Sequence, residues 1–259
     1  MSNLIFVNPP VIRVVFVIKF EELTDFSSVH FGLYWETIRT DFPSFSDVLP
    51  TTEDDSLTLP PLRRVVFSSE DGTESIILHN TSFAYQWDKQ NNSYPSFEKL
   101  SKRFFEQWEN FKQWSSMTLN TDNVEKSNIL VSNCVLSYLN IITEESGLLN
   151  PPDYSRMFTF FSDNWQVSSI QPDGFSFSLT FKLPDDVGLL NMEINQGYLE
   201  SDENSQMDAM MFGLYIQPQE TFDDSENLPQ WFAIAHQQIT KYFLDFIHNE
   251  LQEKWGIQS

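Results

Sequence analysis

The chain has one cysteine, Cys134, in 259 residues. That excludes an intramolecular disulfide and a multi-thiolate zinc cluster. Cys134 lies in an apolar run and reads as a small core residue. Glycine is scarce, at eight residues. No Gly-Lys-Ser/Thr phosphate loop, Gly-x-Gly-x-x-Gly fingerprint or Gly-x-Ser-x-Gly elbow occurs, and His-Glu-x-x-His is missing too. No catalytic residue, metal or cofactor is assigned on these grounds. Cations are few as well: 15 Lys and Arg stand against 37 Asp and Glu, for a net charge of −22. Such a surface repels nucleic-acid phosphates and anionic membranes, so direct binding to either is disfavoured. It attracts a basic protein partner, or simply keeps an aromatic-rich chain in solution. Long apolar runs are also absent. Val11–Phe20 is broken by Arg13 and Lys19, follows Pro9 and Pro10, and is too short to span a bilayer. Without a signal-peptide layout, the expected location is cytoplasmic, and the sequons at Asn80 and Asn91 are chance matches.

What is abundant is aromatic carbon. Hydrophobic residues make up 41% of the chain and 24 residues are Phe, enough for a large core. Val11–Phe20 is rich in β-branched residues and predicts a strand. Thr24 or Asp25 can cap a helix running to about Thr40, with Val29, Leu33 and Ile38 as its apolar stripe. The stretch 44–61, with its prolines and acids, reads as a loop. Arg64–Ser69, Glu74–Leu78 and Phe83–Trp87 read as an antiparallel meander with a turn at Asp71-Gly72.

Ser96 opens the clearest helix. Phe97, Leu100, Phe104, Trp108 and Phe111 step by three or four residues and share one face. Ile129–Ile142 is apolar enough for one buried strand or two. Phe175–Leu183 alternates as a strand, and Leu189–Ile194 and Met211–Ile216 follow, with an acidic loop between them that holds Glu200, Asp202, Glu203 and Asp208. Asn227 can cap the last helix, with Pro229 in its first turn. Its apolar face is Phe232, Ala235, Ile239, Phe243 and Phe246, and Gly256 fits a stop.

The expected fold is therefore α+β, with antiparallel sheet packed against long amphipathic helices. Residues 1–259 are expected to form a single globular unit, with sub-halves 1–150 and 151–259. Each half reads as strands followed by one long helix, so two pseudo-repeated halves are an option the pattern leaves open.

Four stretches carry a resemblance. They are Asn8-Pro9-Pro10-Val11 leading into VVFVIKF; Arg64-Val65-Val66-Phe67 with Asp71-Gly72, Phe83-Ala84-Tyr85-Gln86-Trp87 and Tyr94-Pro95; Leu136-Ser137-Tyr138-Leu139-Asn140; and Ala235-His236 with Phe243, His248-Asn249-Glu250-Leu251 and Trp255-Gly256. Taken in order, they resemble a sporadically distributed family of uncharacterised bacterial and archaeal proteins of about this length. Arg13 and Ser137 depart from that pattern, which has an acidic residue and an arginine there. The resemblance implies no catalytic role. Its patchy distribution, like that of genes on mobile or defence islands, implies an accessory role in antiviral defence.

His236 sits beside the apolar face of the last helix, where a buried hydrogen-bonded imidazole is the plain reading and an acid–base or ligand role the other. Tyr138 and Asn140 lie in a strand that otherwise looks buried; they bond neighbouring backbone or line a cavity with His236. Asp245 and His248 share a helix face and read as solvated, or as two metal ligands. Arg63 and Arg64 form a small cationic pair for local carboxylates. His30 and His79 have no partner in sequence. The acidic stretches hold Glu53, Asp54 and Asp55, then Asp202 and Glu203, then Asp223, Asp224 and Glu226. They lack calcium-loop spacing and read as solvated turns or as a face for a basic partner.

Three functions remain open. The leading expectation is a non-enzymatic acidic interaction protein, an accessory or regulatory subunit with a protein partner. The alternatives are a small-molecule binder with its cavity between sheet and helices, and an enzyme built on scattered carboxylates and His236.

Overall fold

The computed structural model describes residues 5–6, 8–48, 62–90, 93–119, 129–148, 151–162, 175–200, 206–221 and 227–258. The fold is α+β. Strands β2 (Val11–Phe20), β3 (Ser44–Val48), β4 (Arg64–Ser68), β5 (Glu74–His79), β6 (Ser82–Asp88), β7 (Val131–Thr143), β8 (Ser176–Lys182), β9 (Leu189–Glu200) and β10 (Gln206–Gln217) form one antiparallel sheet. Their spatial order is β3-β4-β5-β6-β2-β7-β10-β9-β8. Strands from 1–150 and from 151–259 thus share one sheet, meeting where β7 pairs with β10. A second, two-stranded sheet pairs β1 (Ile5–Phe6) with β11 (Ile257–Gln258).

Side chains alternate across each strand, and burial follows the alternation. On β2, Val14, Phe16, Ile18 and Phe20 are buried, while Val15 and Val17 are half-buried and Arg13 and Lys19 exposed. The buried set faces the helices: α1 (Ser28–Ile38), α2 (Phe97–Thr118), α3 (Leu228–Phe246) and the short α4 (Asn249–Lys254). Phe16 is the hub. Its ring lies 4.9 Å from Phe104 and 5.8 Å from Phe97 of α2, and 5.5 Å from Phe232 of α3. Such ring pairs add to the area buried. α2 buries Phe97, Leu100, Phe104, Trp108 and Phe111, the five residues its spacing predicts, and Trp114 beyond them. α3 buries Phe232, Ala235, Ile239 and Phe243. No helix among the described residues is long and apolar enough to cross a membrane.

Several expectations change. α1 is capped at Ser27, whose backbone N–H donates to His30 Nδ1 at 2.9 Å, so His30 does have a partner. α1 buries Phe31, Tyr34 and Ile38, whereas Val29 and Leu33 are exposed. The aromatic residues three apart carry more apolar area than the aliphatic pair; Tyr34 meets Phe67, Phe111 and Trp114, and Phe31 meets Phe26. Ser44–Val48, read as loop, is an edge strand paired with β4, and 49–61 lies outside the described residues. The 129–142 run holds one strand, β7, which pairs with β2 over 131–140, with two register shifts, and with β10 over 136–143. Glu200 and Asp208 fall in β9 and β10 rather than in an acidic loop. Gly256 takes the left-handed conformation, φ 68°, and closes α4; α3 has already ended at Phe246.

Candidate functional site

The acidic residues offered as a docking face, Glu53, Asp54, Asp55, Asp202, Glu203, Asp223, Asp224 and Glu226, lie outside the described residues. The polar residues offered for a cavity are in view. β7 presents Tyr138 to the helices, and the Tyr138 hydroxyl lies 3.0 Å from Nδ1 of His236 on α3 and 3.2 Å from the Tyr94 hydroxyl. The His236 ring lies flat on Phe97, with centroids 4.0 Å apart and planes 4° apart. Burial pushes the His236 pKa down to about 4, against an upward pull from the Glu98 carboxylate. Burial raises the Tyr138 hydroxyl well above its usual range. Both groups are therefore neutral near pH 7, and the chain of three side chains exchanges hydrogen bonds without charge. Asn140 stands apart from it. Its amide donates to the Phe212 carbonyl across the β7–β10 pair at 3.0 Å. None of the three residues lines either of the two cavities described below.

The remaining sequence candidates have local partners. His79 ring nitrogens lie 2.8 Å from Thr81 Oγ1 and 3.2 Å from the Leu62 carbonyl. Arg63 pairs with Asp47 at 3.6 Å. Arg13 pairs with Asp88 on β6. The register sets Arg13 opposite Leu139 and Ser137 opposite Val15, so Arg13 and Ser137 are diagonal neighbours on one face. Burial pushes the Cys134 thiol up, leaving it protonated. Asp245 and His248 line a shallow surface cavity of 530 Å³ at the α3–α4 bend, beside Arg156 and Glu250, which pair with each other at 3.1 Å. No cluster of three metal-ligating side chains occurs among the described residues.

Two features had no signal in the sequence. One is the sheet face turned away from the helices. Register carries an apolar row across five strands, Val66, Ile77, Ala84, Val17 and Val135. Leu139, Ile141, Met211 and Tyr215 continue it on β7 and β10. Val15, Val17, Val66, Ile77, Val135, Leu139 and Ile141 are half-buried and are not part of the core that the helices fill. A Cβ placed on Gly197, also on this face, would meet no atom within 4 Å. The face carries Arg13, Lys19, Arg64 and Lys182 against Asp88 and Glu193, four cations to two carboxylates, in a chain of net charge −22. Each strand looked ordinary by itself, and only pairing sets these residues side by side.

The other feature is a 260 Å³ cavity between β5, β6 and the first half of α2, lined by Glu74, Tyr85, Trp87, Lys99, Leu100 and Arg103 among others. Arg103 clasps Glu74 at 3.1 Å and Asp41 at 2.8 Å. These partners are too far apart in sequence for any motif to reveal. No protein-family model and no characterised protein matches this chain.

Proposed function

We propose that this protein is a non-enzymatic interaction protein, an accessory or regulatory subunit that holds a protein partner against the open face of its sheet. The observation that carries the reading is the continuous apolar row on a face that no described helix covers. Nine strands about 4.8 Å apart and seven residues deep make a face of roughly 900 Å², which matches the about 800 Å² each partner contributes to a standard interface. Its residues are the mixture such interfaces use, an apolar centre with a polar rim. The partner's matching surface is then apolar at its centre and acidic at its edge, because the face has net cations. This differs from the basic partner that the acidic loops suggested, and a second copy of this chain would bring cations against cations.

The chain organisation supports the same reading. With the second half drawn from β7 instead of from residue 151, β2 and β7 each begin a half. A meander follows in each, and its last strand returns to pair with the first: β6 with β2, and β10 with β7. A long amphipathic helix then crosses behind, α2 in one half and α3 in the other. We read these as two pseudo-repeated halves joined edge to edge, a plan that gives one broad face and commits both helices to the other.

The test is native mass spectrometry of the chain purified from a host expressing its neighbouring genes, beside a Leu139→Glu/Met211→Glu double variant. The expected result is a stoichiometric complex with a second protein that the double variant loses while keeping its fold by circular dichroism. A partner retained by the double variant, or a homodimer in its place, would overturn the assignment of this face.

A further inference from the structure

The sheet ends at β8, Ser176–Lys182, and this end lacks the guards that edge strands carry. It holds no proline, it pairs with β9 without a register shift, and its one charge is Lys182 at the last position. The opposite edge, β3, is shorter, exposed throughout, and carries Asp47. One side of the β8 backbone is unused. Gln196 N–H donates to the Phe175 carbonyl and Leu183 N–H to the Gly188 carbonyl, which places the odd positions of β8 in the pairs that bond β9. Ser176, Ser178, Thr180 and Lys182 therefore turn their N–H and C=O groups outward, and no strand among the described residues meets them. Their side chains are exposed. Phe177, Leu179 and Phe181 are half-buried towards the helix layer, where Phe177 stacks on Phe160 at 5.6 Å and Phe181 lies 5.6 Å from Phe246. By residue type, SFSLTFK reads the same in both directions about Leu179, apart from its two ends.

We infer that β8 pairs antiparallel with β8 of a second copy of this chain, about a two-fold axis through Leu179. Reversal sets Phe177 opposite Phe181, Ser178 opposite Thr180 and Leu179 opposite itself, so rings meet rings and hydroxyls meet hydroxyls. Ser176 meets Lys182, so no like charges face each other. The same reversal brings the outward-turned positions together, Ser178 with Thr180 and Ser176 with Lys182, and each such pair exchanges its N–H···O=C bonds. The β3 edge has no such symmetry, since a two-fold through Ser46 would set Phe45 against Asp47. Pairing through β8 continues the sheet from one copy into the next. It keeps both open faces on the same side and free, so it stands or falls separately from partner docking there.

Sedimentation equilibrium of the purified full chain, with no partner present, tests the pairing. Salt of about 0.15 M screens the −22 charge of each copy beyond about 8 Å and leaves facing side chains coupled. One strand pair is smaller than a standard interface, so the expected dimer dissociates at about 1–100 µM. Ser178→Pro removes an outward N–H that β9 does not use and should leave a monomer, folded by circular dichroism. Two double variants, changed only at exposed side chains, read the register whether or not the proline is tolerated. Ser178→Lys/Thr180→Lys sets lysine against lysine, and Ser178→Lys/Thr180→Glu sets lysine against glutamate; the first should associate at least about fivefold more weakly than the second. The Leu139→Glu/Met211→Glu variant should dimerise like the parent. A parent that stays monomeric up to about 500 µM would overturn the proposal. So would a dimer that a folded Ser178→Pro retains, equal association of the two lysine variants, or a dimer lost in Leu139→Glu/Met211→Glu, which would set the copies face to face.

Discussion

His236 is held as a neutral imidazole between the Phe97 ring and the Tyr138 hydroxyl. Its folded pKa of about 4 lies below the ordinary 6.5, so the unfolded chain takes up the proton first. Stability from this group is intact above about pH 6.5, falls as the pH drops from 6.5 towards 4, and is constant below that. The span amounts to about 3 kcal/mol. Urea titrations between pH 7 and 4 should show a shallower loss for His236→Gln than for the parent, and parallel curves would contradict a neutral buried histidine. Tyr138→Phe removes the group that bridges Tyr94 and His236 and should cost about 1–3 kcal/mol in the same assay. Backbone geometry makes a separate demand at Gly188. Its φ is +135°, and an added Cβ would stand 2.0 Å from the Gln217 carbonyl. Gly188→Ala should destabilise by at least about 1–3 kcal/mol, and a thermal midpoint equal to the parent's would refute the clash.

At the scale of elements, α2 and α3 are joined through aromatic rings above β2 rather than through polar contacts. Phe104 is fully buried and touches Phe16, Phe83 and Phe232. Phe104→Ala should cost about 3–5 kcal/mol; a loss under 1 kcal/mol by denaturant unfolding would mean that the helices do not depend on this junction. These helices were legible in the sequence because spacings of three and four put apolar residues on one face over about four turns. β8 was legible for the same reason with a period of two. α1 was legible as a helix but its buried face was not, because its apolar residues lie on more than one face, and aromatic size rather than spacing decides which ones go inside. β3 was not, because an exposed edge strand with serines and an aspartate lacks an apolar row and depends on backbone pairing with β4. Of the polar residues singled out beforehand, Tyr138 and His236 do meet, although 98 residues separate them. Nothing in the sequence pairs them, since strand register and helix rotation together set the contact.

At the scale of the molecule, charge and apolar area are divided between two sides. The helix side fills the core with aromatic rings, whereas the open face keeps half-buried aliphatic side chains and a small excess of cations. Partner binding should therefore be electrostatically assisted at the rim and apolar at the centre. Raising salt from about 0.05 to 0.5 M should weaken association several-fold by slowing it, without abolishing it. Surface plasmon resonance with the purified partner would read this, and a salt-independent rate of association would remove the charge argument.

On the proposed reading the open face, and not the helix layer, meets the partner. Site-specific photo-crosslinking tests it most directly, with the reactive residue at Val17 in the middle of the face or at Glu109 on the exposed side of α2. A crosslinked adduct with the partner is expected from position 17 and none from position 109. An adduct from position 109 alone would place the interface on the helix side and contradict it.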